Sequence, residues 1–113
     1  MDIKQFSFAL SEISAYTDPD AYASDVALSS VFPDDADIIA LAEELKTLFT
    51  AAHITVKDIR TSTGLSQAAF CALHGIPKRT IENWESGIAT PPPYIPLMLA
   101  QLHGLAPQPE RMV

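Results

Sequence analysis

Apolar side chains recur along this chain at steps of three and four, the spacing that gathers them on one face of an α-helix. Ile3, Phe6, Leu10, Ile13 and Tyr16 make the first such stripe, and Asp18-Pro19-Asp20 breaks it. Tyr22, Val26 and Ser29 make a weaker second stripe that ends near Phe32-Pro33. The third is the clearest. Ile38, Leu41, Leu45, Leu48 and Phe49 share a face across about four turns. Asp34 or Asp35 is its expected cap, and the early acids Asp34, Asp35 and Asp37 suit the positive end of the helix dipole. No alternating run is long enough to predict a strand, so the expected class is all-α.

A second set of helices begins after His53. Thr55-Val56-Lys57-Asp58 has the form of a capping box with Asp in place of Glu, and Gly64 supplies the stop. Ser66 caps a short helix that runs to His74 and is closed by Gly75. Pro77 stands where the next helix begins, a position that tolerates proline because the first turn's amides have no helical partners. That helix runs to about Ser86, with Gly87 as its terminator. Thr90-Pro91-Pro92-Pro93 is a rigid connector, followed by a last helix from about Tyr94 to His103 with Pro96 in its first turn. The ending, residues 105–113, has the composition of a flexible tail.

Length and composition narrow the class. A chain of 113 residues, 48% hydrophobic and 19% charged, suits one compact domain or a small domain with an appendage. It holds no apolar run of membrane-spanning length, and its first residues lack the basic-then-apolar order of a secretory leader. Cys71 is the one cysteine, so no internal disulfide forms, and a cytoplasmic location is expected.

Charge changes the picture more. The net charge is -7, which on average disfavours a nucleic-acid partner. The charge is segregated, however. Residues 1–53 carry two basic and ten acidic residues, whereas residues 54–104 carry four basic and three acidic ones. Such asymmetry predicts two jobs: an acidic helical N-terminal extension and a domain whose positive charges are clustered.

Within the second half, LSQAAFCALHGIPKRTIENWESG (residues 65–87) reads as two short helices joined by a tight glycine turn, the layout of a helix-turn-helix. Phe70, Leu73, Ile76, Ile81 and Trp84 are expected inward where the helices cross. Lys78, Arg79, Glu82 and Asn83 are expected outward on the second helix. The order LSQ, GIP, RT, WESG and PPPY over residues 54–104 resembles the Xre/Cro family of lambda-repressor-like DNA-binding domains. The resemblance implies a small bacterial or phage-type transcriptional regulator, dimeric on a palindromic DNA operator, with Pro77–Ser86 in the major groove. It implies Lys78, Arg79 and Asn83 as base readers, residue types whose donors and amide match G and A edges. It implies Gln67 and Thr80 as DNA-backbone contacts, and it pairs Arg60 with Glu85 in a structural ion pair. Two departures stand out: Ile88-Ala89 replaces basic residues usual in the turn after the recognition helix, and His74 replaces an aromatic or aliphatic residue.

Other chemistry is set aside on spacing. Cys71 and His74 share a helical face but lack a second ligand pair for zinc, so a core thiol beside a half-exposed imidazole is expected, with no metal. His53 and His103 read as isolated surface or helix-end residues. The run Asp34-Asp35-Ala36-Asp37 lacks the glycine and distal glutamate of a calcium loop. No phosphate loop, serine elbow or carboxylate pair suggests an enzyme, and no cofactor is expected. Two rivals to the regulator remain. One is an antitoxin-type autoregulator whose N-terminal half neutralises a partner protein; the other is an interaction module or inhibitor without DNA binding. For residues 1–53, dimerisation is favoured over binding a partner.

Overall fold

A computed structural model describes residues 1–110. Among these residues the fold is all-α, with seven α-helices, one 3-10 turn and no strand. The chain divides into two compact units, one formed by Met1–Ala52 with residues 106–110 and one by His53–Leu105. No described helix is long and apolar enough to cross a membrane.

In the first unit, α1 (Ile3–Glu12) opens on a capping box in which Asp2 accepts from the Gln5 amide at 2.7 Å and Gln5 returns the bond to Asp2. The stripe running on to Tyr16 is not one continuous α-helix, because the last turn tightens into a 3-10 segment at Ile13–Ala15. Helix α2 (Pro19–Ala27) starts where Asp18 accepts from two backbone amides, with Pro19 at the first helical position. Helix α3 (Ile38–Ala52) starts later than the expected cap at Asp34 or Asp35. Asp37 is the residue whose carboxylate accepts from the Ala40 amide at 3.1 Å, while residues 33–36 form a separate turn closed by Ala36 N–H to the Pro33 carbonyl.

Phe6 and Ala9 from α1 and Ile13 from the 3-10 segment form the core with Tyr22 and Val26 from α2 and Leu41, Leu45, Leu48 and Phe49 from α3. Tyr22 is fully buried, so its hydroxyl needs a partner, and it donates to the Ala9 carbonyl at 2.7 Å. Its ring meets Tyr16 edge-on and Phe49 at a tilt. Ile3 and Ile38, placed on these stripes by spacing, are exposed at the helix ends. Ala106 is buried and Glu110 donates its amide to the Met1 carbonyl, so the described part of the segment read as a tail is held; residues 111–113 lie outside the described residues.

The second unit contains α4 (Val56–Thr63), α5 (Gln67–His74), α6 (Lys78–Ser86) and α7 (Tyr94–Leu102). Thr55 and Asp58 form the reciprocal capping box of α4, and Ser66 caps α5 through the Ala69 amide. Gly75 ends α5 at φ +65°, a left-handed conformation costly for any residue with a Cβ, and so permits the sharp turn into α6. Pro96 is the third residue of α7, where its missing amide costs no helical bond. The core is small: Val56, Ile59, Phe70, Cys71, Ile81, Leu99 and Ala100.

Leu73, expected inward, is 60% exposed. At about 100° per residue, Phe70, Cys71 and His74 fall within one arc of α5, and Leu73 lies outside it. The imidazole of His74 takes the inner position that spacing alone assigned to leucine. Ile76 and Trp84 are half-buried.

Candidate nucleic-acid interface

Helix α6 has two faces with different tasks. Ile81 is fully buried and anchors the helix. Lys78, Arg79 and Glu82 are exposed, and Thr80 and Asn83 are half-buried. Lys78 and Arg79 therefore lie next to each other at the helix start, with Asn83 about one turn on. Neither cation makes an ion pair or side-chain hydrogen bond among the described residues. Pro77 offers no side-chain acceptor to the first turn.

The same helix is fixed from behind. Arg60 on α4 donates from Nε and Nη2 to the two carboxylate oxygens of Glu85, both at 2.8 Å, in a bidentate pair. Arg60 also donates from Nη1 to the Leu65 carbonyl at 3.0 Å, tying the α4–α5 connection into the contact. The side chain of Glu85 is 6% exposed and that of Arg60 17%, so each charge depends on the other for solvation. The guanidinium holds the Glu85 carboxyl below its ordinary range despite the opposing effect of burial, and the carboxylate raises Arg60 in turn.

Gln67, read as a DNA-backbone contact, has part of its amide committed inside the protein. Its Nε2 donates to Glu85 Oε1 at 3.2 Å, which further lowers the Glu85 pKa. An amide nitrogen carries two protons, so one remains for an outside acceptor while the bond to Glu85 sets its direction. Sequence spacing had no means of showing this link, because the partners are 18 residues apart.

Ile88, in the turn after α6, is exposed. Trp84 lines a cavity of about 250 Å³ with Thr55, Val56, Gly87, Pro91 and Pro96, between the start of α4, the end of α6 and the proline connector. Among the described residues, no three His, Cys, Asp or Glu side chains converge as a metal site requires.

His103 stands at a helix end, as expected, but is not isolated. His103 is half-buried and meets His74 across 29 residues of sequence, Nε2 to Nε2 at 2.8 Å. Two single histidines at helix ends carry no spacing signal that links them.

Comparison with protein-family models, with curated proteins and with solved structures finds no match to this chain. Its function is therefore read from its own residues.

Proposed function

We propose that the second unit binds double-stranded DNA with α6 in the major groove, and that the chain is a sequence-specific transcriptional regulator. The observation that carries this reading is the exposed pair Lys78 and Arg79 at the start of α6, uncommitted among the described residues. In the same acidic chain Lys46 and Arg60 are both engaged in ion pairs. Arg79 has the fork geometry to take O6 and N7 of guanine, Asn83 the amide to take adenine, and Lys78 a point charge for a base edge or phosphate. Gln67 and Thr80 flank them as backbone contacts, and the Arg60–Glu85 pair keeps α6 at a fixed attitude to α4. Selection of the full-length protein against a randomised duplex pool tests the reading. An enriched motif read more strongly than random DNA is expected; recovery of no motif at low salt contradicts it.

A second reading concerns the first unit, on one observation. Leu28 and Ile39 are 73% and 80% exposed, next to a concave surface lined by Leu28, Phe32, Pro33 and Ile38. Exposed apolar groups of this size favour a contact surface, and we propose that it serves self-association, giving the two copies that a palindromic operator needs. Sedimentation of the full chain and of Leu28→Asp/Ile39→Asp decides. A dimer converted to a monomer is expected. A dimer unchanged by the substitutions, or a wild-type monomer, leaves this surface to a different protein, as in the antitoxin-type alternative.

A further inference from the structure

His74 closes α5 and His103 caps the C-terminal end of α7. Their Nε2 atoms are 2.8 Å apart, with ring centroids 5.0 Å apart and planes at 81°. The nitrogens lie directly between the two rings, so each points at the other. At that separation they share a proton in a hydrogen bond and leave no room for an ion between them. Phe70 supports both rings from inside, edge-on to His74 at 4.6 Å and stacked on His103 at 5.7 Å.

Few other charges act here. Cys71, one turn back on α5, lies within electrostatic reach of Arg60 on α4, and Glu85 on α6 is satisfied by Arg60 and Gln67. Lys78 and Arg79 at the start of α6 are exposed, and α7 carries no charged residue. His103 is the group whose charge acts on His74.

We propose that His74 and His103 form a proton-operated clamp joining the end of α7 to α5, closed with up to one added proton and opened by the second. The proton count follows from imidazole chemistry. In the neutral pair one ring donates Nε2–H and the other accepts with its Nε2 lone pair. One added proton goes to Nδ1 of the donor ring, which keeps its Nε2–H; the bond persists and becomes charge-assisted. A second proton occupies the accepting Nε2. Two N–H groups and two positive rings then face each other, and the bond is lost. Burial, and next the charge of His103, hold His74 below its ordinary value of 6.5. A histidine depressed in the fold contributes stability above its unfolded pKa, and that stability is lost as pH falls through the folded value. Acid, not alkali, therefore opens the clamp. The inference does not depend on the DNA-binding reading.

The test uses the full-length protein labelled with nitrogen-15, followed by NMR of the imidazole nitrogens from about pH 8 to about pH 5. A scalar coupling between the two Nε2 nuclei across the hydrogen bond is expected at the upper end. It should disappear at the lower end, with the two rings titrating in linked steps. His74→Phe keeps an aromatic ring on Phe70 and removes one partner of the hydrogen bond; its Tm should fall less than that of the wild type over the same range. Absence of the coupling at every pH, or two independent single-step titrations with equal Tm losses in both proteins, overturns the proposal.

Discussion

The two units are both helical but are held together differently. The first has a deep apolar core in which Tyr22, Leu45 and Leu48 are fully enclosed, and its sequence contains no glycine. The second has a thinner core and all four glycines of the chain, each at positive φ. It relies more on left-handed helix ends and the Arg60–Glu85–Gln67 network. Short helices closed by local signals can hold a charged edge such as Lys78 and Arg79 in a set direction without burying it. The first unit has eleven acidic residues to place, Glu110 included, and keeps almost all interactions of its core apolar, with Tyr22 as the polar exception.

Substitution can sharpen that contrast. The largest effect is expected in the first unit: Tyr22→Ala empties the centre of a packed core and should cost about 3–5 kcal/mol by denaturant unfolding. Tyr22→Phe, which leaves the Ala9 carbonyl without its donor, should cost about 1–2 kcal/mol. A small loss from Tyr22→Ala would show that the core is less committed than its burial indicates.

In the second unit the corresponding weak point is polar. Arg60→Met strands the Glu85 carboxylate and should cost about 3 kcal/mol, the low end for a buried pair because Arg60 keeps some solvent contact. Adding Glu85→Leu should restore much of that loss. Strict additivity in the double-mutant cycle would mean that the pair contributes no coupling. The same pair sets an acid limit. Glu85 is depressed in the fold, so its stabilisation is present above the ordinary carboxyl value near 4.5 and is lost as pH falls through the folded value. Glu85→Gln should flatten the stability curve in that acid range, as measured by Tm against pH.

The smallest expected effect is a cap. Thr55→Ala removes the acceptor for the Asp58 amide and should cost about 1 kcal/mol. A loss several times larger would mean that α4 is held by its first turn more than by Val56 and Ile59.

How much of this was legible in the sequence depends on how local each feature is. The all-α class, the capping box at Thr55, the Ser66 cap and the glycine stops at Gly64, Gly75 and Gly87 are encoded within a few residues of where they act. The start of α3 differs from the expected one because three nearby acids, Asp34, Asp35 and Asp37, offer several caps, and only the turn at Pro33 decides that Asp37 is the one used. Leu73 was placed inward because stripe counting favours leucine over histidine. The structure puts His74 there, on the arc of Phe70 and Cys71, where it meets His103, a partner 29 residues away. The Gln67–Glu85 bond was hidden likewise. Periodicity shows which face is apolar, but it does not show which polar groups meet once two helices are packed.

The central claim, that α6 reads DNA, is tested most directly by comparing Arg79→Ala and Gln67→Ala with the wild type on a selected duplex and on random DNA at equal salt. The account predicts that Arg79→Ala costs about 1–3 kcal/mol on the selected site and much less on random DNA. It predicts that Gln67→Ala weakens both by a similar factor. Equal losses on the two DNAs for Arg79→Ala, or no measurable binding of the wild type to either at low salt, would contradict it.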